Sequence, residues 1–532
     1  MIVGAGLVGP VLAVAMAKRG HRVRVFERRP DPRCGTPDRG RSVNVVISHR
    51  GWAVLRRVGL EKRVREICRP LTGRRVHPMG GDKPTRRPYS RSGDAIWCVE
   101  RPALNALLLD ALDAEGSVEV HHGHRCVEVD PTECRAGFMR RGDDRVTWEP
   151  FQRLLATDGA FSGVRSRLLH GRFDYSQEYV PLGYREFRIP SVAAGGPALD
   201  LGAFHVWPRG RALFTAFPNA DDSFTGALFL PHEGPGGFAT LDSPDAVRAL
   251  VQASLPSLEA WWRPLIDDLA RNPTASMVTI RARPWHHGGC LALVGDAAHA
   301  ILPFFGQGMN CGFEDVGALV RLLDEHGDDW PRTLAAYDAE RRPNADAIAL
   351  LSKWHYEALG ESEPTEAEQR LENAVDSLLF SRWPERFAPL YERVAFSSTP
   401  YVEVLRAERE REAIVREVME TPRLFERWDD VGEAVVERVV RADGRDRIAR
   451  VAQYVSLLEK ALADGCIGAA ERALLDEAAQ SLGITEASVS WAENLLTESR
   501  GVTPRPSLLS KMQKEATLEN LKAVLLHDIR LR

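Results

Sequence analysis

The chain opens on an apolar run broken by glycines. Met1–Val3 reads as the end of a buried strand, Gly4, Gly6 and Gly9 follow it, and an apolar helix runs to a stop near Gly20. Three residues are short for a parallel strand, which suggests that the native strand begins earlier. His21–Glu27 alternates, with Val23 and Val25 on one face, and predicts a second strand. Residues 41–70 combine a short strand in SVNVVIS with helical spacing in WAVLRRVGLEKRVREI. Residues 103–113 read as a helix, VEVHHG and CVEVD as strands, and Arg153–Thr157 as a strand leading into Asp158-Gly159. From 175 to 285 the pattern shifts to short alternating runs, GAFHVWP, ALFTAFP and SFTGALFLP, separated by Pro, Gly and Asn-Ala turns. This predicts an antiparallel sheet in a layer of its own. CLALVGDAAHA returns to a buried strand, a glycine-rich loop and a helix. Beyond about 330 the spacing is helical, with polar or Pro-bearing breaks at 361–369 and 500–507.

Composition narrows the class. With 44% apolar and 27% charged residues over 532 positions, the chain can bury a large core and is not disordered by composition. Lys+Arg 70 against Asp+Glu 74 leaves no basic excess, which argues against a nucleic-acid partner. Only 8 of the 70 basic residues are Lys, a codon habit of high-GC bacteria rather than a patch. The eight cysteines are dispersed without a C-x-x-C pair, which fits a reduced cytoplasm better than a disulfide scaffold or zinc ribbon, and no metal site is expected. Ile2–Ala17 lacks charge but has no basic start and is studded with glycine, so it reads as strand–turn–helix rather than a signal peptide. No apolar span of about 20 residues suits a membrane helix.

Gly4, Gly6 and Gly9 form G-x-G-x-x-G. The first permits a tight turn, the second lets backbone approach a pyrophosphate, and the third lets the helix pack on the sheet. Glu27 ends the next strand 18 residues after Gly9, where its carboxylate can accept ribose hydroxyls, with Arg28 beside it. FAD, a nicotinamide dinucleotide and a ligand-free turn all remain open on this motif alone.

Two further segments decide the cofactor. DGAFSGVR from Asp158 and GDAAH from Gly295-Asp296, continuing into Pro303-Phe304-Phe305-Gly306-Gln307-Gly308-Met309-Asn310, each follow a strand. In this order and spacing the trio resembles the aromatic-ring-hydroxylating flavoprotein monooxygenases. GRSVNVVISHRG, RFDYSQEYVPLGY, FHVWPRG, SFTGALFLP and LVGDAAHAILPFFGQGMNCGFED narrow the likeness to kynurenine 3-monooxygenases over roughly residues 1–400. The resemblance implies an α/β fold: a Rossmann-like FAD-binding domain of the glutathione-reductase type, an inserted antiparallel-sheet substrate domain and an all-helical C-terminal region.

It also implies bound FAD, with NADPH as a transient co-substrate lacking a Rossmann domain of its own, and a reaction that places one oxygen of O2 ortho to the ring amine of L-kynurenine. No side chain is singled out as catalytic, because the flavin C4a position carries the oxygen chemistry. Gly4, Gly6, Gly9, Glu27, Arg28, Arg101 in VERPALN, Asp158, Gly295, Asp296, Pro303, Gly306, Gly308, Met309 and Asn310 fall at cofactor positions. Arg74 and Tyr89 match a carboxylate-gripping pair, with the adjacent Arg75 an alternative to Arg74. Phe304 and Phe305 match an aromatic wall, and Tyr391 in FAPLYERVAFS matches a substrate-side tyrosine. His355 stands where the family has Asn, so a ring-substituted or chain-altered kynurenine also fits, and the alternative is a related flavoprotein monooxygenase acting on such a kynurenine, anthranilate or another aromatic of secondary metabolism. His299 is not assigned as a base.

The expected organisation is residues 1–172 and 285–330 as the FAD-binding domain, with a substrate-contacting segment at about 70–95. Residues 173–284 form the sheet layer, 331–425 a helical cap, and 426–532 an extra helical domain. ADGCIGAAERALLDEAAQSLGIT in the last part is faintly similar to tellurite-resistance TerB-like helices. A halogenase is disfavoured because no W-x-W-x-I-P string occurs; a flavin-binding sensor acting through the C-terminal helices stays open.

Overall fold

The computed structural model describes residues 1–35, 44–79, 83–90, 92–168, 173–191, 199–358, 366–384, 387–419 and short stretches between 432 and 489. A six-stranded sheet forms its base, in the order His286–His287, Leu291–Leu293, Leu154–Ala156, Ile2–Val3, Val23–Glu27, Val118–His122. All pairings are parallel except the edge strand His286–His287. Strands such as LLA and LAL are buried throughout, as expected when helices cover both faces of a parallel sheet. Helix Val8–Lys18 crosses over from the first strand, with Val11, Leu12, Ala13 and Val14 essentially inaccessible. Gly20 stops it at φ +86°, the left-handed conformation that glycine adopts most cheaply.

Above this lies a seven-stranded sheet ordered Ala275–Arg283, Asp174–Ile189, Phe224–Pro231, Ala212–Pro218, Ala203–Arg209, Gly73–Val76, Thr85–Pro88. Two features differ from the expectation of a self-contained antiparallel layer. The sheet recruits the ribbon Gly73–Val76/Thr85–Pro88 from far upstream, and Gly73–Val76 joins Ala203–Arg209 in parallel. Helices Pro244–Ser254 and Trp262–Arg271 also interrupt the stretch read as strands throughout. The first starts at Ser243, whose hydroxyl accepts the Ala246 N–H at 3.3 Å. Val247, Val251, Leu265 and Leu269 pack on Phe187, Trp207, Phe214 and Leu228, each such burial contributing roughly 1.5–3 kcal/mol.

Two small sheets complete the strand inventory of the described residues: His124–Asp130 with Arg135–Arg140 and Val146–Pro150, and Val45–Ile47 with Ile96–Val99 and Arg69–Leu71. Only the first strand of each was expected from periodicity.

The chain divides into two compact units. The first, Met1–Glu363 with Ala388–Arg409, contains all the sheets. The second is Pro364–Phe387 with Glu410–Arg532. Within it, Leu371, Val375 and Leu379 lie four residues apart on helix Glu366–Arg382 and pack with Phe387, Ile414, Val418 and Val436. That helix begins inside the segment 361–369 expected as a break. In the region of the TerB-like likeness, helix Ala469–Ser481 is described; most of 426–532, including 500–507, lies outside the described residues. Among the described residues no helix is long and apolar enough to cross a membrane.

Candidate functional site

A cavity of about 790 Å³ lies in the first unit, at the carboxyl ends of the parallel strands and beneath the seven-stranded sheet. Gly4 and Gly6 line it. Gly4 turns at φ +103°, and a Cβ there would meet Thr157 O at 2.5 Å. Gly6 faces open space, so an elongated anion can approach its backbone. Gly9 does not line the cavity: its Cβ would fall 2.0 Å from Gly4 O, so it is the contact that lets helix Val8–Lys18 sit against the loop. The loop is pinned by Thr157, whose hydroxyl donates to Gly4 O (2.8 Å), and by Asn105, whose amide reaches Ala5 O and Gly6 O (3.0 and 3.1 Å). Neither was singled out from sequence; Asn105 lies one helical turn beyond Arg101, and that spacing was the available signal.

Glu27, Arg28, Arg101 and Asp158 also line this part. Burial opposes the Glu27 charge, but Arg29 and the N–H groups of Ala5 and Arg29 hold its pKa below the ordinary value. Arg101 starts helix Arg101–Asp113, exposed, with no hydrogen bond to a described residue. Asp158 is half-buried in the cavity wall; Val164 N–H donates to one carboxylate oxygen (3.2 Å) while the other, itself inaccessible, has no partner among the described residues. Burial raises its pKa. The unclaimed acceptor, the open face of Gly6 and the strained turn at Gly4 fit the hydroxyl- and phosphate-bearing chain of FAD. His124, Arg125, Cys126 and Val127, from a strand that the sequence reading left without a role, line the cavity too.

Asp296, Pro303, Phe304, Phe305, Gly306, Gly308 and Met309 form the next wall, where helix Gly308–His326 begins. Gly295 and Asn310 are set behind it. Asn310 donates to Val46 O (2.9 Å) and Gly306 O (3.0 Å) and accepts the Ser48 N–H (3.0 Å), which fixes the loop. Gly295 N–H donates to Asp315. His299 points away from the cavity, its Nε2 2.5 Å from Asp315 Oδ2. Burial opposes the imidazolium, but Asp315 and Cys311 push its pKa well above the usual value. Arg341 Nε bonds Asp315 Oδ1 at 2.8 Å and its Nη2 lies 3.5 Å from Cys311 Sγ, so a guanidinium already neutralises the buried carboxylate of the cation-sized cluster His299, Cys311, Asp315.

The far end is aromatic. Tyr89 stacks on Tyr391 with ring centroids 5.0 Å apart, Phe305 lies 6.2 Å from Tyr391, and His355 lies 5.1 Å from Phe305. Phe304 sits between Phe229 (6.3 Å) and Tyr356 (5.6 Å). Arg74 lines this end and makes no hydrogen bond or ion pair with a described residue. Alternation along the strand sends Arg75 to the other face, where it holds Asp200 Oδ2 at 2.8 and 3.0 Å, which removes it as the alternative. Burial, then the Tyr391 ring, raises the Tyr89 pKa well above the ordinary phenol, and burial does the same for Tyr391. Burial and the Arg74 charge lower the His355 pKa, which leaves that imidazole neutral.

The family described as "FAD binding domain" matches residues 1–189 and 244–352. The chain is 36% identical over 443 residues to a kynurenine 3-monooxygenase of Christiangramia forsetii, covering 82% of this chain and 98% of that protein. It is 39% identical over 406 residues to the Myxococcus xanthus kynurenine 3-monooxygenase, covering 75% and 86%. Among solved structures, a tetrameric 2-methyl-3-hydroxypyridine-5-carboxylic acid oxygenase aligns with a TM-score of 0.56 at 21% identity, over 68% of this chain and 92% of that one. Pseudomonas aeruginosa PqsL with 2-aminobenzoylacetate aligns at 0.55 and 22%, over 68% and 96%. At those identities the structural likeness speaks for the fold.

Proposed function

The chain belongs to the kynurenine 3-monooxygenase family of FAD-binding proteins, and from that premise we propose that it hydroxylates L-kynurenine, or a close analogue, ortho to the ring amine, consuming NADPH and O2. The observation that carries the reading is Arg74: a guanidinium with no partner among the described residues, at the aromatic end of a cavity whose other end is a dinucleotide loop. A guanidinium presents a planar fork to a carboxylate, and an amino-acid side chain ending in an aniline suits the Tyr89, Tyr391 and Phe305 rings.

Bound FAD supplies the oxygen transfer to the ring. Gly4, Gly6 and Asp158 would hold it through pyrophosphate and hydroxyl groups, and Asp296 with the loop Pro303–Met309 through the ring system. Arg74 takes the carboxylate, and Tyr89, protonated throughout the working pH range, adds a directional O–H donor. Phe304 and Phe305 hold the aromatic ring and keep water from the reacting face. Neutral His355 can donate to or accept from a ketone or amine, so a modified kynurenine is a second reading. The dispersed cysteines, none in a C-x-x-C pair, support a reducing cytoplasm as its compartment.

The test is turnover. Purified yellow protein given NADPH and a panel of L-kynurenine, ring-substituted kynurenines, anthranilate and tryptophan should oxidise NADPH fastest with a kynurenine and release its ortho-hydroxylated product. A colourless protein that takes up no FAD, or preferred turnover of anthranilate, would end the reading.

A further inference from the structure

Residues 131–134 turn the chain from strand His124–Asp130 into Arg135–Arg140. Asp130 Oδ1 accepts the N–H groups of Thr132 (3.2 Å) and Glu133 (3.0 Å), and the last turn residue, Cys134, adopts φ +48°. Glycine or asparagine is the usual occupant of that left-handed conformation, so a cysteine there is held against its preference. Phe151 N–H donates to its carbonyl at 2.8 Å, which fixes the backbone, and its thiol lies 3.5 Å from Pro131 O.

Cys290 leads into strand Leu291–Leu293 of the parallel sheet. Its carbonyl accepts the Leu154 N–H at 2.8 Å. Its thiol lies 3.7 Å from the same Pro131 O and 3.3 Å from His287 O. Two sulfurs that converge on one carbonyl oxygen from opposite chain segments are neighbours. Burial, and then the Cys134 thiol, raise the Cys290 pKa. Both side chains are half-buried, within reach of a small oxidant.

We propose that Cys134 and Cys290 form an oxidation site, a thiol pair that hydrogen peroxide converts to a disulfide joining the hairpin turn to the parallel sheet. One thiolate attacks the peroxide O–O bond, which gives a sulfenic acid and, after proton uptake, water. The second thiolate attacks that sulfur, forms the S–S bond and expels hydroxide, which leaves as a second water. Two thiols lose two electrons and two protons, and one peroxide becomes two waters. Because the thiolate is the attacking form and the Cys290 pKa is raised, the bond forms faster as pH rises above neutral. The crosslink would also fasten strand His124–Asp130, four of whose residues line the cavity.

Folded holoprotein treated with hydrogen peroxide, alkylated and digested without reductant should yield the Cys134 and Cys290 peptides joined. Two of the eight thiols should be lost to titration. The crosslink should vanish in Cys290→Ala and in Cys134→Gly, the latter suiting the backbone of the turn and preserving the fold. Sulfinic acids at both positions without a link, bonds from either residue to another cysteine, or full alkylation of both after treatment would overturn the proposal.

Discussion

Two groups of charged residues stand on either side of the loop Gly295–Asn310, and they are built on opposite rules. On the side away from the cavity, His299 of that loop, Asp315, Arg341, Glu314 and Arg50 form a continuous chain of ion pairs. Asp315 is held by His299 and Arg341, Glu314 bridges Arg341 and Arg50, and Arg50 lies 3.9 Å over the Tyr401 ring. Every charge there has an opposite charge within the protein. In front, Arg74 and Arg101 have no described partner and one Asp158 oxygen has none. Uncompensated charge is costly once water leaves, and the half-buried Arg74 and Asp158, like the exposed Arg101, face the cavity, where a bound molecule can complete them. Satisfaction separates that scaffold chain from these three groups, although Glu27, also on the cavity side, is held by Arg29 and the Ala5 N–H.

The largest test of this contrast removes a scaffold charge. Asp315→Asn strands Arg341 and His299 beside each other in the interior and should cost about 3–5 kcal/mol of stability, read as a fall in the denaturant midpoint of the apoprotein. Arg74→Met should do the reverse. It leaves stability within about 0.5 kcal/mol, since no internal bond is lost, yet lowers kcat/KM for a kynurenine roughly 100-fold, chiefly through KM. A variant of Arg74 that unfolds, or one of Asp315 that is stable but inactive, would break the distinction.

A smaller effect sharpens it at an intermediate place. His77 and His205 share a hydrogen bond of 2.9 Å on the face of the seven-stranded sheet turned away from the cavity, packed on Trp207, with Arg75 and Arg209 nearby and the Asp200 carbonyl on the far nitrogen of His205. Burial, then His205 and the two arginines, lower the His77 pKa from 6.5 to about 4. The unfolded chain therefore binds the proton first. The stabilising contribution is complete above about pH 6.5 and fades as pH falls toward 4, on the order of 2 kcal/mol. Thermal unfolding of His77→Gln should show a shallower acid limb than the parent; an unchanged limb would remove His77 from the account.

What the sequence disclosed follows from how local each demand is. The glycine fingerprint, the Asp158-Gly159 turn and the Gly295 loop ask for particular backbone shapes, and those shapes are written in consecutive residues. Arg74 and Arg75 could not be separated, because the choice depends on which face of a strand meets the cavity, set by pairing with Ala203–Arg209 more than a hundred residues away. Gly9, Gly295 and Asn310 belong to the same motifs as the lining residues, yet serve packing and loop anchoring. Helices Pro244–Ser254 and Trp262–Arg271 were hidden by their alternating neighbours, although Ser243-Pro244-Asp245 is a helix start. In the hairpin Arg135–Arg140/Val146–Pro150 the second strand is largely exposed, Val146 and Trp148 included, so no buried face marked it.

The ribbon Gly73–Val76/Thr85–Pro88 hangs at the margin of its sheet, tied to the remainder through a single strand. Arg74 therefore resides on a marginal piece that mutation can remodel with little effect on the nucleotide cradle, while Tyr89, one residue beyond it, is anchored among Val46, Leu71, Ile96 and Cys98. Descendants of such a protein could change diet while keeping the same engine, and this detachable margin is where such divergence should begin.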